Sequence, residues 1–220
     1  VVFASTLEAV AMMACNPSIG GTGKGQLVRE IDALGGEMGV NIDATMVQSK
    51  MLNTGKGPAI QSLRAQADKK EYHARMKSVL EKEENLELKQ AEIVTIEAAY
   101  TEGKKRVTAV ITKTGARYEA KAVILATGTF LSSKIFIGHS EYSSGPDGMA
   151  ACNELSQSIR TLGLKLRRFK TGTPARALKN TFDYSLMKRE EGDQPVVPFS
   201  FLTKNINIDQ LPCYLTYTNE

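Results

Sequence analysis

The sequence predicts an α/β fold, and three features point to it. A glycine-rich loop, Ser18-Ile19-Gly20-Gly21-Thr22-Gly23-Lys24-Gly25, runs straight into a helical pattern. Segments rich in Val, Thr and Ile between residues 86 and 120 are punctuated by turn residues, as in a strand meander. The run Ala122-Val-Ile-Leu-Ala-Thr-Gly128 is continuous, apolar and ends in glycine. That is the pattern of a strand buried on both faces with a ligand at its carboxyl end.

Val1 to Ala4 reads as a short buried strand. Gly20, Gly21, Gly23 and Gly25 then fall within six residues, where the chain needs backbone angles or approach distances that a Cβ forbids. Over Gln26 to Leu34 the apolar residues 27, 28, 31 and 34 share one helical face, and Gly35-Gly36 supplies the stop. A loop feeding a helix start offers free amides to an anion, often phosphate. Neither familiar phosphate loop fits, however. A Walker-type loop would need glycine where Ser18 stands and Ser or Thr where Gly25 follows the lysine, and the dinucleotide fingerprint would need glycine at Gln26. From the residues alone the segment is either a ligand loop or a structural turn.

Pro58 opens an expected helix reaching about Glu83, with Ile60, Leu63, Ala67, Ala74, Val79 and Leu80 apolar and its charges solvated. Leu86 to Ile96 and Arg106 to Thr112 read as strands, and Lys113-Thr-Gly115 turns the second into Ala116 to Ala120. After the apolar run, Tyr142 to Gly148 is a loop and Met149 to Leu162 a helix. Beyond Gly163, six basic residues lie between Lys165 and Lys179 and helical periodicity fades. A boundary is therefore expected near residue 163, giving segments 1–162 and 163–220.

Hydrophobic residues make up 42% of the chain and charged ones 24%, ordinary values for a globular protein. No apolar run approaches ~18 residues, so no membrane span is indicated. Val1 to Ala4 lacks the basic flank and long apolar region of a signal peptide. Cys15, Cys152 and Cys213 are odd in number and far apart, which argues against a disulfide framework and fits a reducing compartment. There is no Cys-x-x-Cys, and His73 and His139 stand alone, so no metal site is expected. A net charge of +4 permits an anionic partner without demanding one.

The stretch Cys15-Asn-Pro-Ser-Ile-Gly-Gly-Thr-Gly-Lys-Gly-Gln-Leu-Val-Arg-Glu-Ile-Asp-Ala-Leu-Gly-Gly36 resembles the signature of the MnmG (GidA) family. Further matches follow in the same order: Asn53-Thr-Gly-Lys-Gly-Pro-Ala59 with Arg64-Ala-Gln-Ala-Asp68, then Gly128-Thr-Phe-Leu131, Lys170-Thr-Gly-Thr-Pro-Ala-Arg176 and Pro212-Cys-Tyr-Leu-Thr-Tyr-Thr-Asn-Glu220. The likeness covers nearly the whole chain. These enzymes contain FAD and install the carboxymethylaminomethyl group at C5 of the tRNA wobble uridine. They act together with the GTPase MnmE, taking one carbon from methylene-tetrahydrofolate and electrons from NADH. The resemblance thus implies a partial Rossmann-like FAD-binding domain of the glutathione-reductase type over 1–162, lacking its first strand and glycine loop. It implies over 163–220 the start of a truncated insertion domain on the tRNA and NADH side. The expectation is an inactive piece of a homodimeric enzyme, cytoplasmic or, in a eukaryote, of the mitochondrial matrix.

By that resemblance Gly20, Gly21, Gly23 and Gly25 suit the isoalloxazine side of the cofactor, and Thr127 and Gly128 suit its contact at a strand end. Ile93 would offer backbone contact to the adenine, and Cys152 occupies an FAD-contact position that often carries a smaller residue. Cys15 and Cys213 match cysteines implicated in the reaction, although most free cysteines are small buried hydrophobes. Uracil C5 is a poor nucleophile until a group adds at C6, which a thiolate can do. Arg167, Arg168, Lys170 and Arg176 are the tRNA-binding candidates, while charge alone fits a solvated face equally well. The Lys170–Arg176 loop suits either tRNA phosphate or a nucleotide cofactor. Two other readings stay open: the related folate-dependent tRNA uridine methyltransferases, which lack Cys-Asn-Pro-x-x-Gly-Gly, and a non-catalytic RNA- or cofactor-binding piece.

Overall fold

The computed structural model describes residues 1–218, so the last two residues of the Pro212–Glu220 motif lie outside the described residues. In chain order the elements are β1 (Val2–Ala4), β2 (Ser18–Gly20), α1 (Gly25–Ala33), α2 (Met38–Thr45), β3 (Met46–Leu52), β4 (Ser62–Ala67) and α3 (Lys69–Lys82). Then come β5 (Leu88–Gln90), β6 (Ile93–Thr101), β7 (Lys104–Thr112), β8 (Arg117–Glu119), β9 (Lys134–Ile137) and β10 (Ser140–Ser143). The series ends with α4 (Asn153–Thr161), β11 (Lys188–Glu190) and β12 (Cys213–Leu215). The mixed α/β class is as expected. Two compact units form, Val1–Val10 with Leu80–Thr171, and Ala11–Val79 with Gly172 onward. The basic segment after Gly163 therefore contributes to both.

The glycine loop belongs to the second unit, whose sheet runs β2-β4-β3 with both pairings antiparallel. β4 lies where a helix from Pro58 to Glu83 is expected. Only a short 3-10 turn at Pro58–Ile60 and then α3 are helical. The reason is a period of two: Leu63, Ala65 and Ala67 are buried while Arg64 between them is exposed, which suits a strand. Asp68 then starts α3, its carboxylate accepting from the amides of Lys70 at 2.8 Å and Glu71 at 3.0 Å. α2 lacks a clear apolar face because polar Asn41, Asp43 and Thr45 are buried along with Ile42. Asn41 is fully buried, donating to the Tyr72 carbonyl at 3.0 Å and accepting from Arg75 at 2.8 Å.

α1 also differs from its sequence pattern. It buries Gly25, Val28 and Asp32, whereas Leu27 and Leu34 are 54% and 89% exposed. Two contacts turn the helix this way. A Cβ on Gly25 would stand 2.8 Å from the Leu63 carbonyl, so only glycine allows the helix so near β4, and the Asp32 carboxylate accepts from the Phe201 amide at 2.8 Å. The stop is as expected, with Gly35 at φ +85° and the Gly36 amide donating to the Ile31 carbonyl at 2.9 Å. The core of this unit gathers Val28, Ile42, Leu63, Ala65, Tyr72 and Phe199.

In the first unit β1 pairs in parallel with β5. The segment expected as one strand over 86–96 is split between β5 and β6, and β6-β7-β8 form the expected antiparallel meander. α4 covers it, with Ile96, Val110, Leu155 and Ile159 as the core and the Ile96 amide donating to Ser158 Oγ at 2.9 Å. Part of the expected 142–148 loop is strand: β9 and β10 pair as a hairpin. The buried strand expected at 122–128 does not form. No described strand pairs with this run, and Ile124 is 91% exposed. An apolar run is held as a strand by ladder partners and covering layers, and β1 and β5 here engage only each other. Val123 alone of this run packs against the core.

Candidate functional site

A cavity of about 390 Å³ opens in the second unit beside the glycine loop. Asn16, Pro17, Ser18, Gly20, Gly21, Thr22 and Lys24 line it together with Leu52, Arg64 and Gln66. The β2–β4 ladder brings the two groups side by side, pairing Ser18 with Gln66 and Gly20 with Arg64. Lys24 and Arg64 put two cations on the lining, and among the described residues neither has an ion-pair partner. Asn53 braces the loop from outside by donating to Thr22 Oγ1 at 2.9 Å and to the Ile60 carbonyl at 3.0 Å.

The four glycines play different parts. Gly20 is at φ +85°, and a Cβ there would meet the Leu63 carbonyl and the Phe199 ring. Gly21 is at φ +91° with open space where its side chain would be, so its missing Cβ keeps the cavity wall flat. Gly23 and Gly25 do not line the cavity.

Cys15, half-buried, donates its thiol to the Gly172 carbonyl. That contact joins the Cys-Asn-Pro motif to Lys170-Thr-Gly-Thr-Pro, and the neighbouring Asn16 lines the cavity. Cys213 opens β12 opposite Glu190 of β11. Its sulfur lies 2.8 Å from Gln66 Nε2 and 3.3 Å from Gln48 Oε1. Gln48 and Gln66 are cross-strand partners in the β3–β4 ladder, which is why their side chains meet. They were not among the sequence candidates; Gln66 was visible only as part of the Arg64–Asp68 match.

The first unit holds the remaining cofactor candidates. Ile93 begins β6 and packs against the core there. Thr127 and Gly128 form a turn rather than a strand end, with Gly128 at φ +54°. Cys152 stands at the start of α4, its amide donating to the Phe130 carbonyl at 2.9 Å. Burial pushes its thiol up, the Glu92 carboxylate adds to the rise, and Lys113 opposes it, so at neutral pH this sulfur keeps its proton. Among the basic candidates, Arg168 is committed to its own fold, both Nη atoms donating to the Ser132 carbonyl at 3.1 Å. Arg167, Lys170 and Arg176 are exposed. Among the described residues no metal-ligand cluster is present and no helix is long and apolar enough to cross a membrane.

Residues 1–220 match the family model described as glucose inhibited division protein A. The chain is 59% identical over 214 residues to the tRNA uridine 5-carboxymethylaminomethyl modification enzyme MnmG of Clostridium kluyveri, covering 97% of this chain and 34% of that protein. It is 57% identical over 220 residues to the protein of the same name from Clostridium novyi, covering 100% and 34%. Among solved structures it is similar to Aquifex aeolicus GidA in its form II crystal, with a TM-score of 0.87, 46% identity and coverage of 96% of this chain and 36% of that one. The chain thus spans about a third of the length of the curated relatives it matches.

Proposed function

The chain belongs to the glucose inhibited division protein A family, and from that membership we propose that it carries the flavin-side cavity and the two reacting thiols of an FAD-dependent tRNA uridine-modifying enzyme. The observation that supports this most directly is convergence. Asn16, next to Cys15, and Gln66, bonded to Cys213, line the same cavity as Gly20 and Gly21.

The residues present fit a flat ring. Gly21 leaves open space on the cavity wall where any other residue would project a side chain, and Gly20 continues that surface. FAD, when bound, supplies electron transfer. The chain's own groups do the rest. Lys24 and Arg64 attract an anionic substrate to the cavity. A thiolate of one of Cys15 and Cys213 adds to uracil C6, forming a C–S bond and sending the electron pair towards C5, which then attacks the methylene carbon of the one-carbon unit. The other cysteine serves as proton carrier for the C5 proton, departure of the thiolate from C6 restores the pyrimidine, and the amine of glycine replaces the folate nitrogen on the new methylene, releasing tetrahydrofolate. Ile93, Thr127, Gly128 and Cys152 rest on family resemblance as cofactor contacts; for Cys152 the protonated thiol supports a passive part.

The full enzyme, in this reading, takes its one-carbon unit from methylene-tetrahydrofolate and electrons from NADH, works with the GTPase MnmE, and is a homodimer of the cytoplasm. Its test is turnover in the full-length protein. Cys15→Ser and Cys213→Ser should each lower carboxymethylaminomethyl formation on tRNA by orders of magnitude while flavin absorbance stays unchanged. Near-normal modification by both variants would overturn the assignment.

A further inference from the structure

The arrangement around Cys213 is more tightly determined than a half-buried thiol requires. Gln48 is 4% exposed, and its Nε2 donates to two backbone carbonyls, Leu211 at 3.0 Å and Glu190 at 3.3 Å. A carbonyl only accepts, so the amide can face only one way. Its Oε1 is therefore turned to Gln66 and to the sulfur. The Gln66 amide is fixed in turn: one N–H goes to Gln48 Oε1 at 3.1 Å and the other to Cys213 Sγ at 2.8 Å. The sulfur thus faces one fixed donor and one fixed acceptor.

We infer that Gln66, which lines the cavity, is a positioning residue for the Cys213 thiol, fixing the sulfur beside its own amide and stabilising its thiolate, with Gln48 setting the direction of the Gln66 amide. This rests on the reading of Cys213 as a reacting thiol. The proton decides which partner matters. While the sulfur is protonated, S–H donates to Gln48 Oε1. Once the proton leaves, that oxygen faces a negative sulfur and only the Gln66 N–H favours the charge. Gln66 also lines the cavity, so the residue that steadies the thiolate is the one a substrate would meet. The network is laid down by backbone, through the Gln48–Gln66 register and two main-chain carbonyls, and needs no reorganisation as the sulfur reacts.

The test separates positioning from packing by the sign of the effect. Alkylation of Cys213 by iodoacetamide, followed on its own peptide by mass spectrometry in the full-length protein at one neutral pH, measures available thiolate. Gln66→Met keeps the length and removes the N–H, and should slow Cys213 by about tenfold, the scale of one hydrogen bond to a charged group. Gln66→Glu, nearly isosteric, should slow it further because a carboxylate replaces the donor. Cys15 on its own peptide should react at its usual rate and reports that the fold is kept. A merely structural Gln66 predicts the opposite, since loosening exposes the thiol; a Cys213 rate equal to or above wild type in both variants would overturn the inference. Turnover is scored separately. If Cys213→Ser retains tRNA modification, the reacting-thiol reading falls, while the alkylation rates still decide what Gln66 does to the sulfur.

Discussion

The ring of Phe199 fills the space that a side chain on Gly20 would need: a Cβ there would lie 2.6 Å from Phe199 Cζ and 2.3 Å from the Leu63 carbonyl oxygen. Phe199 is fully buried, so neither neighbour has room to yield. Gly20→Ala combines this clash with a left-handed backbone angle and should cost about 3 kcal/mol or more. Gly21→Ala meets no atom and carries only the backbone penalty, about 1–2 kcal/mol. Urea unfolding of the two variants should therefore separate a packing glycine from a cavity glycine, and equal midpoints would refute the distinction.

Asp43 holds Phe199 in place from the other side. Its two carboxylate oxygens accept from the amides of Phe199 at 2.7 Å and Ser200 at 2.9 Å. Asp43→Ala leaves two buried N–H groups without partners and should cost about 2–4 kcal/mol. Asp43→Asn keeps one acceptor oxygen and should lose roughly half as much. Chemical denaturation of the pair checks this, and a neutral Asp43→Ala would show that water replaces the carboxylate.

The physical reasons for what the sequence disclosed and concealed are local and specific. The glycine loop, the α1 stop and the meander were legible because each depends on nearby residues: positive φ at Gly35, or Val and Ile alternating between turns. β4 was hidden because Ala65, Gln66 and Ala67 are good helix formers, and only pairing with β2 and β3 overrides them. The 122–128 run carries the composition of a buried strand, yet composition cannot supply ladder partners. At the site, Cys15 and the glycines were visible as a motif. Gln48 was not, because its meeting with Gln66 and Cys213 comes from a register between strands, which no spacing along the chain encodes.

Cys152 should behave as the inert thiol of the three. Its raised pKa, chiefly from burial, means that the folded state holds the proton to higher pH than the unfolded chain does. The resulting stability is fully present below the ordinary value of 9.0 and is lost as pH rises through the folded value. Wild type should therefore lose stability more steeply than Cys152→Ala as the pH rises above 9.0. Parallel curves for the two proteins would show that the thiol does not titrate differently on folding.

Arg167 and Arg168 are neighbours with separate commitments, and this sharpens the test of nucleic-acid binding. Arg168 spends both Nη atoms on the Ser132 carbonyl, so its replacement disturbs the protein's own backbone as well as any phosphate contact. Arg167 is exposed, and no side-chain bond ties it to the fold among the described residues. If the basic segment holds tRNA phosphates, each lost contact releases one fewer condensed counterion and flattens the log–log salt dependence of binding by roughly 0.7 to 0.9. Arg167→Gln in the full-length protein should show that flattening with weaker binding at low salt and no change in thermal stability. Arg168→Gln should add a loss of stability from the freed Ser132 carbonyl. An Arg167→Gln protein with unchanged slope and affinity would mean that Arg167 is only a solvated charge, and the tRNA-binding assignment would pass to Lys170 and Arg176, whose motif meets Cys15 at Gly172.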